Sequence, residues 1–260
     1  MKPTAAGLGW YLDRQKGPTS NWEVSQLFVL ANIEGFVADF MLTTPVERFS
    51  VIARSLAGLA LCLEVFCMPK PWFSRFPYGE TEVFIYRVQG GGLVLKQSQP
   101  IAADYTAGFY NLAWGPSANT RGAFAKQAVL LFNGFGDGEE RERIRQASQW
   151  YFDSLCGGND LIAFVQAMVA VEILLGGKGE TLGLTDLLAN RCAYLLGSTR
   201  RERDAILRDF KAIYDTRSEI VHRGKNRLSA KDQEHLILLR ILCSRVITRE
   251  LSLLEVASIK

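Results

Sequence analysis

Between Glu139 and Val256 the chain is cut by glycines and capping residues into five stretches of helical periodicity. Glu139 to Leu155 is stopped by Gly157-Gly158. Asn159-Asp160 supplies an N-cap for a helix to Leu175, which Gly176-Gly177 ends. A shorter helix runs from about Thr185 to Leu196, and a long one from Arg200 to His222, ended near Gly224. Ser229, with Asp232 three residues on, caps a last helix to about Val256. Short loops between such helices predict an up-and-down bundle, the arrangement that buries every apolar face.

Upstream the pattern is mixed. Trp22 to Leu42 and Val46 to Phe66 carry apolar residues at helical spacings, with Pro45 near the start of the second. Val83–Val88 and Leu93–Lys96 read as strands joined across Gly90-Gly91-Gly92, and Arg121 to Phe132 as a helix. Asn133-Gly-Phe-Gly-Asp-Gly138, ahead of the charged run Glu139–Arg145, reads as a linker. The chain is therefore expected to be mainly α, with a smaller mixed α+β region at 1–136 and a helical bundle at 137–260. The role of the front region is not assigned.

Apolar content of 48% and charged content of 22% support a real core, and a net charge of +3 permits an anionic partner without requiring one. The five cysteines are scattered with no C-x-x-C pair, so reduced, buried thiols are expected. With two histidines, a structural zinc site is not expected; no other metal and no cofactor are expected either. The greasiest stretch, Val51 to Phe66, is interrupted by Arg54 and Glu64 and falls short of the roughly 20 apolar residues of a bilayer span. Met1-Lys2-Pro3-Thr4 leads into no apolar segment of signal type. A cytoplasmic protein with no membrane partner is the expectation.

Three charged residues sit where helices should be greasy. On the long helix Ile206, Phe210, Ile213, Arg217 and Ile220 form one stripe that contains Arg217. Leu161, Val165, Met168, Glu172 and Leu175 place Glu172 likewise, and Leu184, Leu188, Arg191 and Leu195 place Arg191. An isolated buried charge costs several kcal/mol, so such residues must pair or face a solvated site. One glutamate and two arginines on neighbouring helices can satisfy each other, and a purely structural ion-pair network is the competing reading.

Tyr214, Ser218 and His222 form a second stripe ending at the helix terminus. Five residues apart, Arg217 and His222 differ by about 140° in projection. A straight helix is therefore not expected to aim both at one atom: either it distorts, or two copies of the chain supply the pair at a two-fold cleft. From Arg200 to Arg227 there are nine basic and five acidic residues, an excess of four cations that suits a phosphate partner. A histidine there feels the helix C-terminus favouring its charged form and nearby cations disfavouring it.

Tyr214-Asp-Thr-Arg-Ser-Glu-Ile-Val-His-Arg-Gly224 resembles the signature of the HEPN superfamily, an arginine followed after four to six residues by a histidine. More narrowly it resembles the Apea-like HEPN group. Trp150-Tyr-Phe-Asp-Ser-Leu155, Val171-Glu-Ile-Leu-Leu175 and Leu188–Gly197 match that group in type and order, so the resemblance covers about Glu139 to Val256. It implies a HEPN-type helical bundle and a metal-independent endoribonuclease, acting as a homodimer in stress, toxin or anti-phage defence settings, with an antitoxin or trigger protein as a further partner. Arg217 would stabilise charge on the scissile phosphate, His222 would move protons for attack by the 2′-hydroxyl, and Ser218 would orient the site. Tyr214, Glu172 and Arg191 would support them, and Arg223, Lys225 and Arg227 would contact RNA. Arg223 departs from the glycine that many relatives carry directly after the histidine.

The alternative is a non-catalytic HEPN dimer that holds RNA, nucleotide or a partner protein in the same cleft. Gly176-Gly-Lys-Gly-Glu-Thr181 lacks the spacing of a phosphate loop. Pro71-Trp-Phe-Ser-Arg-Phe-Pro-Tyr78 is read as a core edge rather than a base-stacking platform. Neither His222 nor His235 has a signalled Ser or Cys nucleophile.

Overall fold

The computed structural model describes residues 9–10, 29–30, 43–68, 82–116, 120–177 and 183–258. In chain order the elements are β1 (Gly9–Trp10), β2 (Val29–Leu30), α1 (Thr43–Cys62), β3 (Phe66–Cys67), β4 (Glu82–Gln89), β5 (Gly92–Pro100) and α2 (Ala103–Tyr110). There follow β6 (Ala113–Trp114), α3 (Arg121–Gly134), α4 (Glu139–Cys156), α5 (Asp160–Leu175), α6 (Leu184–Leu196), α7 (Arg200–His222) and α8 (Ala230–Ser258). The fold is mainly helical, with a small sheet region ahead of a C-terminal helical region.

The described residues fall into two compact units, one from Met1–Ala53 and Val83–Gln99, the other from Arg54–Glu82 and Pro100–Lys260. In the first, β1 pairs antiparallel with β2, Gly9 opposite Leu30 and Trp10 opposite Val29. Val29–Leu30 is thus strand where helical spacing was read; the rest of 22–42 lies outside the described residues, as do 71–78 and 178–181. β4 and β5 form the expected hairpin, with Gly90 and Gly91 at φ +60° and +79°, the left-handed backbone that a two-residue turn demands.

The second unit extends upstream of the boundary read at 136/137. The later half of α1 joins it through Arg54, whose Nη1 lies 2.7 Å from the buried Asp153 Oδ2 on α4 and whose guanidinium sits 4.2 Å from the Tyr105 ring centre on α2. α2 packs on α4, and α3 on α8 and α4. The glycine-rich 133–138 segment is a turn within this unit. Arg141 Nε donates to Asn133 O (2.9 Å), and Arg145 Nη1 donates to Gly136 O (2.7 Å). Composition alone looked like a linker because it cannot show two arginines holding its carbonyls.

α8 is the axial helix, in contact with α3, α4, α5, α6 and α7. Phe152, Phe164, Phe210, Met168, Leu188, Leu239 and Ile247 are fully buried around it, each contributing about 1.5–3 kcal/mol on leaving water. Asn159 Oδ1 caps α5 by accepting from Leu161 N and Ile162 N, and Ser229 and Asp232 cap α8 reciprocally. Among the described residues all cysteines are free thiols. Burial pushes Cys62 and Cys192 up to about 12, which makes them poor nucleophiles. No described helix is long and apolar enough to cross a membrane.

The apolar stripes are displaced from their expected lines. On α7 Ile206, Phe210 and Ile213 are buried, but Thr216 takes the next buried place and Arg217 stands at the rim. The threonine hydroxyl finds partners inside, whereas a guanidinium there would lose its hydration. On α5 the core side is Phe164, Ala167, Met168 and Val171, with Glu172 at its edge; on α6 it is Leu188, Ala189, Cys192 and Ala193, with Arg191 at its edge.

Candidate functional site

The site forms where α7 ends. A capping box starts that helix: Thr199 Oγ1 accepts from Glu202 N, and Glu202 Oε2 accepts from Ser198 N (2.7 Å) and Thr199 N (3.2 Å). These bonds hold the Glu202 carboxyl below the usual range. At the far end Arg223 N and Lys225 N both donate to Glu219 O, and Gly224 takes φ +64°, so the chain reverses directly after His222.

α7 is continuous α-helix, yet Arg217 Nη1 lies 3.5 Å from His222 Nε2. The expectation that a straight helix keeps the pair apart is corrected. The 140° argument concerns Cβ directions, and the long arginine stem swings its tip around the final turn. Arg217 Nη2 is 3.7 Å from Glu172 Oε1 across the α5–α7 seam, and the guanidinium sits 5.6 Å from the Tyr214 ring centre. The Arg217 and Glu172 side chains are about one-quarter exposed, and His222 is exposed.

Burial pushes the Glu172 carboxyl up and Arg217 pulls it down, with burial the larger effect. Its Oε1 is buried and has no hydrogen-bond partner among the described residues, so the ion pair is long and unsaturated. Arg191 Nη1 donates to Leu175 O (2.7 Å), at the C-terminus of α5. Arg143 from α4 covers the same helix end, bonding Ile173 O, Leu174 O and Gly176 O. Two guanidinia thus hold the end of the helix that carries Glu172, Arg191 through the Leu175 carbonyl.

Ser218 is half-buried on α7. The three cations placed on RNA divide. Arg223 is 78% exposed and 3.9 Å from Glu219 Oε1, and Arg227 is exposed. Lys225 Nζ instead bridges Glu219 Oε2 (2.8 Å) and Asp232 Oδ2 (2.7 Å), which hold its ammonium above the usual range. The turn after Gly224 folds it inward onto these two carboxylates.

Comparison with family models, curated proteins and solved structures finds no match. The site rests on its own geometry.

One cluster escaped the sequence reading. Thr216 Oγ1 lies 2.8 Å from His235 Nδ1 and 3.5 Å from Asp232 Oδ1, and donates to Ala212 O. Acid and imidazole both meet the hydroxyl, whereas in a hydrolytic triad the acid holds the imidazole. Thr216 is also buried. The cluster ties α7 to α8 one residue from Arg217. Its sequence signal was His235 three residues after the capping Asp232, on the face of α8 that meets α7. Among the described residues no group of three or more His, Cys, Asp or Glu could hold a metal ion. Chemically, the rim of α7 offers a fixed cationic donor beside a titratable ring, both reachable from solvent.

Proposed function

We propose that the chain is a metal-independent endoribonuclease of HEPN type, acting as a homodimer in a stress, toxin or anti-phage defence setting in the cytoplasm. The observation that carries this reading is the 3.5 Å approach of the Arg217 guanidinium to the His222 imidazole at the end of α7. A phosphodiester seated there meets Arg217 on its non-bridging oxygens, where charge grows in the transition state. His222 accepts the 2′-hydroxyl proton as that oxygen attacks phosphorus. The bond to the 5′-oxygen breaks, and the leaving oxygen takes a proton, giving a 2′,3′-cyclic phosphate and a 5′-hydroxyl. Arg223 and Arg227 hold flanking phosphates, and a second copy places an equivalent pair across a two-fold axis. An antitoxin or trigger protein would govern access.

The Arg217–Glu172 ion pair favours a second reading, because a partly neutralised guanidinium also suits a site that holds RNA, nucleotide or a protein partner without cutting. The deciding assay is cleavage of single-stranded and structured RNA in EDTA by the wild type, His222→Ala and Arg217→Ala. The proposal requires wild-type cleavage with cyclic-phosphate ends that both variants lose while still binding RNA. A folded wild type that binds RNA and never cuts it, with any trigger present, leaves the binding reading.

A further inference from the structure

An open groove of about 620 Å³ lies at the other end of α7, between α8, the α6–α7 turn and the turn after α1. A helix of 23 residues spans about 33 Å, so this groove is far from His222. The antiparallel run of α8 agrees: Asp232 meets Thr216, whereas Arg245 acts on Glu202 in the first turn of α7.

Two guanidinia line the groove from one face of α8, Arg245 and Arg249. Both are exposed, and neither takes part in a hydrogen bond or ion pair among the described residues. Like charges four residues apart on a helix repel, a cost that a bound anion removes. Glu202 does not fill that place, because its carboxylate is bonded to the Ser198 and Thr199 N–H groups. Two of the four lining serine and threonine hydroxyls have spent their protons: Thr248 Oγ1 donates to Ser244 O or Cys62 O, and Ser252 Oγ donates to Thr248 O; Ser198 and Ser244 line the groove as well. The charge that meets an anion here is that of the arginines.

Tyr194 lines the groove from the end of α6, 74% exposed, with the Arg203 guanidinium 5.5 Å from its ring centre. A ring fixed from one side and wet on the other is a stacking platform for a base. Glu64 also lines the groove, so the three charged side chains facing it sum to two cations minus one anion, or +1. That balance suits a short phosphate on a neutral base better than a long polyanion, and leaves Glu64 to accept from ribose hydroxyls. The volume lies within the range of small-ligand sites. We propose that this groove is a mononucleotide site, with phosphates on Arg245 and Arg249 and the base on Tyr194. It stands apart from the cleavage reading of Arg217 and His222.

The test is calorimetric titration of the full chain with ATP, GTP, CTP and UTP, with tripolyphosphate and a uridine hexanucleotide as comparison ligands. At least one nucleoside triphosphate binds the wild type, and Arg245→Gln/Arg249→Gln weakens it about tenfold or more while the melting temperature holds. Tyr194→Ala weakens the nucleotide and spares tripolyphosphate. A folded wild type that binds none of the four, or a double variant that binds like wild type, overturns the proposal. So does a hexanucleotide that binds through the same arginines more tightly than any mononucleotide, since it would make the groove a strand path.

Discussion

Lys225 Nζ lies 2.7 Å from Asp232 Oδ2 and so fastens the turn behind His222 to the first turn of α8. Burial raises the Asp232 carboxyl, but hydrogen bonds from Lys225 and from Ser229 outweigh it and hold the group at about 2. A carboxyl depressed on folding stabilises the fold above its unfolded value and loses that contribution as pH falls through its folded value. Urea unfolding of the wild type should therefore weaken steeply from pH 4 towards pH 2, and Asp232→Asn should flatten that limb. At neutral pH the substitution should cost about 1–3 kcal/mol. Parallel acid limbs in the two proteins would remove Asp232 from this role.

Glu172 carries the opposite sign. Its carboxyl is raised on folding by burial, which Arg217 only partly reverses. Such a group contributes stability at pH below the usual glutamate value and loses it as pH rises through the raised one. Glu172→Gln should therefore narrow the stability lost by the wild type between pH 4 and pH 7. Chemical denaturation across that range reads the difference, and a steeper loss in the variant would show that the ion pair outweighs burial.

The sequence carried the helical bundle well because its signals are local. Asn159, Ser229 and Gly224 act on their own helix ends, and the predicted span of α7 from Arg200 to His222 is the observed one. Signals that act at a distance were hidden. Nothing near Arg143 says that it reaches three carbonyls some thirty residues on, and nothing near Asn133 says that Arg141 and Arg145 close its loop. Arg217 was legible as a charge in the wrong place. Which arginine Glu172 would pair with was not, since Arg217 and Arg191 had equal claims from spacing. The ion pairs of Lys225 were hidden too, because a loop lysine reads as solvated until the turn at Gly224 is built.

Arg143 supplies a direct test of that hidden wiring. Its guanidinium bonds the last carbonyls of α5, groups a helix end leaves unpaired. Arg143→Met keeps the stem and removes the donors, so unfolding free energy should drop by about 1–3 kcal/mol. Arg143 also lowers the Glu250 carboxyl against the larger effect of burial. The variant should raise that group further, visible in side-chain carboxyl titration by NMR. An unchanged stability would mean that water replaces the guanidinium at no cost.

Arg217→Lys separates shape from charge at the α7 terminus. Arginine presents a planar fork whose two ends here face different partners, Nη1 towards His222 and Nη2 towards Glu172. Lysine keeps the positive charge but has a single nitrogen with a shorter reach, so it cannot face both. If cleavage depends on a forked donor fixed beside the imidazole, Arg217→Lys should lose about 100-fold or more in single-turnover rate, close to the loss in Arg217→Ala. RNA affinity should change little, since Arg223 and Arg227 remain exposed. Arg217→Ala should melt below Arg217→Lys, because it leaves the partly buried Glu172 carboxylate without its cation, and both should remain folded. A lysine variant that cuts at the wild-type rate would reduce Arg217 to a point charge and leave the fork without a part in the chemistry.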